Sequence, residues 1–208
     1  MRAQPFCRHP AITLAIVALL FGGCLGRSPS PRYYALSSMP EGQQISKRTS
    51  PAHQAVIGIG PVKLADYLDE SQIVTRTSDH QLVKAEYDRW AGSLSDNLTN
   101  VLADNIGFLV PTTSILLYPW RTDLPIDYQV LVDVIRCDAR LGEAVWLEAR
   151  WSVLQGPDKK LLKMQRASIQ EPVTGADYAA LVAAQSRALA QLSQEIAEAI
   201  RGTGKKVR

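Results

Sequence analysis

Alternation of apolar and polar residues over three neighbouring segments constrains the fold of this chain more than any other feature. The segments are residues 126–141, 144–155 and 161–171, and short turn sequences separate them. Successive side chains of a strand point to opposite faces, so each segment predicts a strand with one apolar face. Because short turns join antiparallel neighbours, we expect an antiparallel meander over residues 126–171 with one buried face.

Two further segments carry the three- and four-residue spacing of an amphipathic helix. The first apolar stripe begins at Trp90 and Leu94 and continues to Ile106, and Gly107 is expected to end the helix. The second helix is predicted over residues 175–200. Each apolar stripe needs a surface to pack against, and the apolar face of the meander supplies it.

Shorter apolar runs predict further strands at residues 33–36, 55–62, 73–77, 81–85 and 114–118, with a hairpin between the third and the fourth. The whole pattern predicts an α+β fold, in which an antiparallel or mixed sheet packs against two main helices as a single-domain sandwich. We expect this domain to cover residues 33–201 and a basic tail to follow over residues 202–208.

The first 23 residues are typical of a bacterial lipoprotein signal peptide. Arg2 and Arg8 form a positive region before an apolar run of 11 residues, which is shorter than the roughly 20 residues of a membrane span. The run ends in FGGC, which resembles a lipobox, although Phe21 stands where leucine is usual. We expect cleavage between Gly23 and Cys24 and lipid attachment to Cys24. A plain secretory signal with a chance cysteine is the alternative.

Residues 24–32 are small, polar and proline-rich, as is typical of a flexible tether. Several acyl chains on Cys24 would hold the protein firmly on a membrane, because one chain gives only marginal binding. Leu25, rather than aspartate, follows the cysteine. By resemblance to the sorting rule of enteric bacteria, this implies the outer membrane, with the domain on the periplasmic face.

The charge distribution argues against a nucleic-acid partner. The chain carries a net charge of +3, which falls to +1 without Arg2 and Arg8 of the predicted signal peptide. The remaining basic residues form no stripe or cluster outside the tail, whereas nucleic-acid binding needs a concentrated positive face. We therefore expect no nucleic acid among the partners.

The residue types of enzyme and metal sites are sparse. His53 and His80 remain after processing and form no pair at ligand spacing, so we expect no metal and no cofactor. The sequence has no hydrolase nucleophile motif and no phosphate-binding loop. Gly58 and Gly60 lack the third glycine of a dinucleotide site and instead allow close packing of a core strand. We expect no catalytic residues.

Cys137 is the cysteine that remains after processing, so no intramolecular disulfide is available. It lies in the first strand of the meander, where strict alternation puts it on the face opposite to Val130 and Val132. We expect a small buried hydrophobe rather than a reactive thiol.

Charged and aromatic residues crowd the segment 63–94. We expect Arg76 to form a local ion pair with Glu86 or Asp88, worth about 0–1 kcal/mol if exposed. Trp90 and Leu94 are expected to pack in the core as the start of the helical stripe.

A predicted loop in the same segment carries candidates for contact with a protein partner, namely Tyr67, Asp69 and Glu70. Aromatic side chains are prominent in interface hot spots, and an aromatic residue in a loop is a natural contact. Packing of Tyr67 and Leu68 in the core is an equally open alternative.

Several motifs in a fixed order resemble the PqiC family, the auxiliary lipoprotein components of ABC-type transport systems. They are YYAL after the lipobox, IGIGPVKLADYLDESQIVTR, AEYDRWAGSLSDNLTNVLADNI, VLVDVIRCDAR and WLEARWSVLQG. The structural signature within them comprises Gly58, Gly60, Pro61, Arg76, Trp90 and Leu94. Ala65 and the pair Gly92-Ser93 depart from the usual family residues, which affects local loop shape or partner contacts.

The resemblance implies non-catalytic work in the cell envelope. It implies an MCE-domain partner that spans the periplasm and carries lipid between membranes, with the lipoprotein docked at its outer-membrane end as a homo-oligomeric ring. Two alternatives stay open: a periplasmic lipid-binding carrier with its own apolar cavity, and a chaperone for another outer-membrane machine. A carrier needs spare apolar lining, but the helix stripes and the sheet face already use the apolar positions, which favours docking.

Overall fold

The computed structural model describes residues 29–40, 55–121 and 124–203. The predicted signal peptide, the cleavage site, Cys24, most of the tether and the basic residues of the tail lie outside them. The strands are Arg32–Tyr34 (β1), Ala55–Leu64 (β2), Gln72–Ser78 (β3), Gln81–Trp90 (β4), Thr112–Leu117 (β5), Tyr128–Arg140 (β6), Ala144–Gln155 (β7) and Lys160–Pro172 (β8). The helices are Leu94–Leu109 (α1) and Tyr178–Thr203 (α2), and a 3-10 turn at Asp66–Leu68 joins β2 to β3.

The described strands form two mixed sheets. The larger has the order β5-β2-β6-β7-β8, in which β2 is parallel to both β5 and β6 while β6, β7 and β8 are antiparallel. The smaller has the order β1-β4-β3, with β1 parallel to β4. The predicted α+β class, the meander and the β3–β4 hairpin are confirmed.

One buried core joins both sheets and both helices. On the core face of the meander, Val130, Val132 and Val134 of β6 pair with Val153, Trp151 and Ala149 of β7. Burying such apolar side chains contributes about 1.5–3 kcal/mol each, which is why the helices cover this face.

A β-bulge in β6 corrects the predicted position of Cys137. The pairing with β7 slips by one residue between Val134 and Arg136. One extra residue reverses the alternation, so Cys137 lies on the core face after Val134 and is 3% exposed. Burial raises the pKa of its thiol to about 12. The prediction of a buried hydrophobe is confirmed, whereas the predicted face is wrong.

Helix α1 begins later and ends later than predicted. Trp90 belongs to β4, because its N–H donates to the Ser71 carbonyl at 2.8 Å and continues the strand pairing. The helix starts at Leu94, and the Ser93 hydroxyl accepts a hydrogen bond from the Asp96 N–H as the N-cap. Trp90 is nevertheless 5% exposed and belongs to the core as expected.

The predicted stop at Gly107 is wrong. The helix continues through this glycine, whose position close to the Ile115 side chain suits tight packing of the helix on β5. It ends at Leu109, and Val110 adopts an extended conformation before Pro111. Proline disfavours a helical conformation in the residue before it, which accounts for the boundary.

Helix α2 begins after Asp177, whose carboxylate accepts a hydrogen bond from the Ala180 N–H at 2.8 Å. This cap places the start three residues after the predicted one, and the helix runs to Thr203. Arg201 lies in its last turn, where the helix dipole favours a cation.

Buried amides and hydroxyls fix the segment after β1 to both helices. The Asn105 side chain accepts from the Met39 N–H at 2.8 Å and donates to the Ser193 hydroxyl at 3.2 Å. Asn105 and Ser193 are both 0% exposed, so these bonds replace the water that burial removes. The Leu36 N–H similarly donates to Asn97 on α1 at 3.0 Å.

Candidate partner-binding site

The predicted contact residues lie on a short structured connection rather than on a flexible loop. Tyr67 and Leu68 belong to the 3-10 turn between β2 and β3. Leu68 is 2% exposed and Tyr67 packs partly against the core. Asp69 is exposed, and Glu70 accepts a salt bridge from Lys84 at 2.7 Å. The structure therefore gives Tyr67 a packing role and leaves Asp69 as the outward-facing group of the three.

A buried carboxylate anchors this connection. Asp138 of β6 is 0% exposed, and its Oδ2 accepts hydrogen bonds from Nε and Nη2 of Arg76 at 2.9 and 2.7 Å. Its Oδ1 accepts from Nε of Arg136 at 2.8 Å, and the Tyr67 hydroxyl lies 3.4 Å from Oδ2. Two guanidinium groups thus compensate one buried negative charge, as burial of a charge requires.

The electrostatics of this network favour the protonated forms of Tyr67 and Arg76. Burial, followed by the negative charge of Asp138, raises the pKa of Tyr67 to about 12. The hydrogen bond to Asp138 is the main cause that raises the pKa of Arg76. Tyr67 and Arg76 therefore remain proton donors throughout the physiological pH range.

The expected ion pair of Arg76 with Glu86 or Asp88 is wrong. Arg76 crosses to the larger sheet and binds Asp138 instead. Asp88 pairs with Arg32 of β1 at 2.8 Å and accepts a hydrogen bond from the Tyr34 hydroxyl at 2.7 Å. The prediction chose partners close to Arg76 in the sequence. The actual partners, Asp138 for Arg76 and Arg32 for Asp88, lie on strands that only the tertiary fold brings together.

The network continues along the outer face to the β3–β4 hairpin. Arg136 and Arg140 lie over the Trp146 ring at 5.0 and 5.6 Å from its centroid. Arg140 also pairs with the Asp79 carboxylate at 2.8 Å, and Arg76 donates to the Asp79 carbonyl at 2.8 Å. We name the set of Tyr67, Arg76, Asp79, Arg136, Asp138, Arg140 and Trp146 the hairpin clamp, because it fixes the hairpin turn and the 3-10 turn to the larger sheet.

Sequence reasoning missed Asp138, which is the centre of the clamp. The available signal was an aspartate between two apolar positions in the sequence RCDAR of a buried strand. A charged residue in such a position is almost always paired. What the sequence does not contain is the packing of the smaller sheet on β6, which brings Arg76 within reach of Asp138.

The two signature glycines lie where aromatic side chains cover the outer face of β2. A Cβ on Gly58 would lie 3.0 Å from the Trp120 ring, and a Cβ on Gly60 would lie 2.7 Å from Cβ of Tyr118. Gly60 also has a φ of 115°, which other residues rarely adopt. The predicted use of these glycines for close packing thus has a definite partner, the segment after β5. Of the remaining signature residues, Leu94 opens α1 with 2% exposure and Pro61 follows Gly60 through a cis peptide bond.

Two grooves open onto the described surface near β8 and on the larger sheet. One, of about 460 Å³, lies on the outer face of the larger sheet and includes Pro61, Leu131 and Met164 among its lining residues. The other, of about 720 Å³, is more polar and lies between β8 and the end of α2, with Lys163 and Glu195 among its lining residues. Both grooves are open to the surface, and the larger one borders helix α2.

Within the described residues, no group of three or more His, Cys, Asp or Glu side chains is placed to hold a metal ion. No described helix is long and apolar enough to cross a membrane. The fold and the clamp define an α+β domain in which hydrogen bonds and ion pairs join a short acidic connection and a hairpin to the larger sheet.

The chain belongs to the family of ABC-type transport auxiliary lipoprotein components, whose model matches residues 34–197. It is similar to the intermembrane transport lipoprotein PqiC of Escherichia coli K12 and to that of Shigella flexneri, with 30% identity over 98 residues in each case. The match covers 47% of this chain and 51% of each relative, so the chain spans about half the length of the curated relatives it matches. The resemblance read from the motifs is confirmed at the level of the family.

Two crystal structures share the fold over nearly their whole length. A protein of Xanthomonas campestris superimposes with a TM-score of 0.67 at 19% identity, covering 85% of this chain and 99% of that chain. A second, uncharacterized protein gives a TM-score of 0.66 at 24% identity, covering 83% and 99%. These similarities establish the α+β fold.

Proposed function

We propose that this protein is a non-catalytic lipoprotein of an intermembrane lipid-transport system, anchored by acylated Cys24 on the periplasmic face of the outer membrane. Its domain docks with a periplasm-spanning MCE-domain protein, as a homo-oligomeric ring that completes the transport path and supports envelope integrity. Membership of the transport auxiliary family, together with the lipobox-like FGGC sequence, supports this proposal.

The hairpin clamp is the observation that favours docking. A protein contact gains affinity when its surface is held in the bound geometry beforehand, because less conformational entropy is lost on binding. The clamp holds the 66–70 connection through Tyr67 and the hairpin through Asp79. We infer that the connection carrying Tyr67, Asp69 and Glu70 is the partner contact, in which Asp69 is the outward group and Tyr67 holds the connection in position.

The packing of the core favours docking over the carrier alternative. Side chains of α1, α2 and the sheet fill the space where an enclosed lipid site would lie, among them Leu102, Trp151, Leu181 and Leu192, each 0–2% exposed. A carrier needs an apolar cavity that buries most of its ligand.

The anchor is tested by metabolic labelling with a palmitate analogue and mass spectrometry of the mature N-terminus. The wild type and Cys137→Ala should incorporate the label, whereas Cys24→Ser should lose it and leave the membrane fraction. Label retained in Cys24→Ser would overturn the assignment of the acylated residue.

Docking is tested by mixing the purified lipoprotein with the periplasmic part of an MCE protein encoded beside it. Size-exclusion chromatography with light scattering and lipid extraction should give a lipid-free complex that contains several lipoprotein copies. Asp69→Lys should weaken co-elution at least tenfold, whereas Asp158→Lys, the same charge change in the exposed β7–β8 turn, should not. A monomer that ignores the MCE protein and carries phospholipid would reject docking and favour the carrier.

A further inference from the structure

The groove of about 720 Å³ between β8 and the end of α2 has two unlike walls. Its helix wall consists of Glu195, Glu198, Ala199 and Gly202, and the first half of β8 supplies most of the opposite wall. β8 is an edge strand of the larger sheet, so the groove runs beside a strand that has one strand neighbour among the described residues. The groove therefore has the position in which a further segment of chain could lie along the sheet edge.

The helix wall carries a carboxylate oxygen that the described residues leave without a donor. Oε2 of Glu195 is buried and has no hydrogen-bond partner among them. Buried polar atoms are nearly always paired, because an unpaired one loses its hydration without replacement. Lys160 and Lys163 line the groove from β8, but neither donates to this oxygen. Arg201, the cation of the last helical turn, donates to the Leu109 carbonyl at 3.4 Å instead.

The chain continues from the rim of this groove with a basic sequence. Gly202 lines the groove, α2 ends one residue later, and residues 204–208 read GKKVR. This segment has no acidic residue and three cations, Lys205, Lys206 and Arg208. Charge-assisted hydrogen bonds from such cations are the strongest that a carboxylate accepts from side chains. The charge of residues 204–208 thus complements the glutamates of the helix wall.

The length of residues 204–208 matches the distance to these glutamates. Glu195 and Glu198 lie eight and five residues before Thr203, which corresponds to about 12 and 8 Å along the helix. Five extended residues span about 17 Å. A segment that doubles back along α2 therefore passes Glu198 and reaches Glu195.

We propose that residues 204–208 fold back over the last two turns of α2 and occupy this groove, where their cations pair with Glu195 and Glu198. In this position the segment covers Leu161 of β8, which lines the groove and is 52% exposed. An exposed strand edge is a template for pairing with other chains, so the docked segment shields the start of β8 from such contacts. The proposal concerns the domain itself and is independent of the proposed transport role.

Disulfide exchange measures where the segment lies. Val207→Cys places one thiol in the segment, and Leu161→Cys places the other on the β8 wall of the groove. Ser114→Cys is the control partner, because it is exposed on β5 and lies five residues after Leu109, which contacts the end of α2. Equilibration with reduced and oxidised glutathione gives the effective concentration of each thiol pair.

The two natural cysteines do not interfere with this measurement. Cys137 is buried, and burial raises the pKa of its thiol to about 12. Cys24→Ser is included in every variant, so the result does not depend on acylation. Urea denaturation checks that each variant is folded.

The effective concentration should be about tenfold higher for the pair 161–207 than for the pair 114–207 at low salt. Salt at about 1 M should remove the excess, because the screening length is then about 3 Å. Glu198→Lys should reduce the excess, and Glu198→Lys with Glu195→Lys should abolish it. Glu143→Lys, the same charge change at the exposed β6–β7 turn, should leave it unchanged.

A charge swap completes the test. Replacing the three cations of residues 204–208 by glutamate should abolish the excess in the parent protein and restore it in the variant with both groove glutamates changed to lysine. Equal effective concentrations for the two thiol pairs at low salt would overturn the proposal. An excess that survives reversal of the exposed Glu198 and high salt would also overturn it, because ion pairs would then not hold the segment.

Discussion

Replacement of Asp138 should destabilise the domain more than replacement of any exposed carboxylate, because it removes the charge that compensates two arginines. The carboxylate is 0% exposed and accepts guanidinium hydrogen bonds of 2.9, 2.7 and 2.8 Å. Removing one partner of a buried ion pair costs about 3–5 kcal/mol. Arg76 and Arg136 keep 17% and 27% exposed side chains, so water partly solvates them after the substitution. We expect Asp138→Ala to cost about 3 kcal/mol, at the low end of that range.

Urea denaturation measures this cost through the midpoint and the slope of the transition. Asp138→Asn keeps the side-chain volume and one acceptor oxygen, so we expect a smaller loss of about 1.5 kcal/mol. Asp133→Ala on the same strand is the matched control, since its pair with Arg150 at 3.1 Å joins side chains that are 46% and 64% exposed. Such a surface pair contributes less than about 1 kcal/mol.

A double-mutant cycle with Arg76→Ala isolates the interaction itself. Residues of one hydrogen-bonded network couple by about 0.5–3 kcal/mol, and we expect a value above about 1 kcal/mol for this pair. Loss of less than about 1 kcal/mol in Asp138→Ala, or additivity within about 0.3 kcal/mol in the cycle, would refute the reasoning that the clamp is held by this carboxylate.

Four further measurements test the packing and the electrostatics. Gly60→Ala should lower the free energy of unfolding by about 2 kcal/mol, because φ is 115° at this position and the added methyl group would meet Tyr118. In the same urea assay Gly92→Ala should change the free energy of unfolding little, because no atom lies within 4 Å of its added methyl group. Asn105→Ala should cost about 1–3 kcal/mol, because two buried partners lose their hydrogen bonds; a neutral result would mean that water replaces the amide. Burial by itself would raise the pKa of Asp88, but hydrogen bonds from its arginine and tyrosine partners lower it below the ordinary value of 3.8. Its contribution to stability is therefore present above about pH 4 and is lost as the pH falls through the folded-state pKa, and Asp88→Asn should weaken that acid-side loss in thermal melts. Cys137 should resist a thiol reagent at pH 8 in the folded protein and react at once in denaturant; rapid labelling of the native state would contradict its burial.

Local sequence patterns predicted the elements that are neighbours both along the chain and in the fold. The meander follows from alternation because the turn between β6 and β7 and the one between β7 and β8 are short, so sequence order and sheet order coincide. The boundaries moved where a single residue decides them: Ser93 caps α1, Asp177 caps α2, and Pro111 follows the end of α1. These cap signals are present in the sequence, but periodicity outweighed them in the prediction.

The candidate site was predictable in part. Tyr67, Asp69 and Glu70 stand out as charged and aromatic residues between strands, and the structure places them on one short connection. The carboxylate that holds the connection was not predicted, because Asp138 lies 62 residues after Arg76. A contact over that separation depends on which strands become neighbours, and local propensity carries no information about it.

The sequence by itself determined the secondary-structure periods, the α+β class and the family, because each is encoded in nearest-neighbour spacing and in the order of motifs. The tertiary structure decided which charges meet. The order β5-β2-β6-β7-β8 brings β6 beside β2, and the bulge after Val134 places Cys137 in the core and leaves Asp138 facing the smaller sheet. There the low dielectric and the loss of water require the Asp138 carboxylate to pair with Arg76 and Arg136. These contacts between residues distant in sequence hold the connection that carries Tyr67, Asp69 and Glu70, which the local pattern predicted only as a loop.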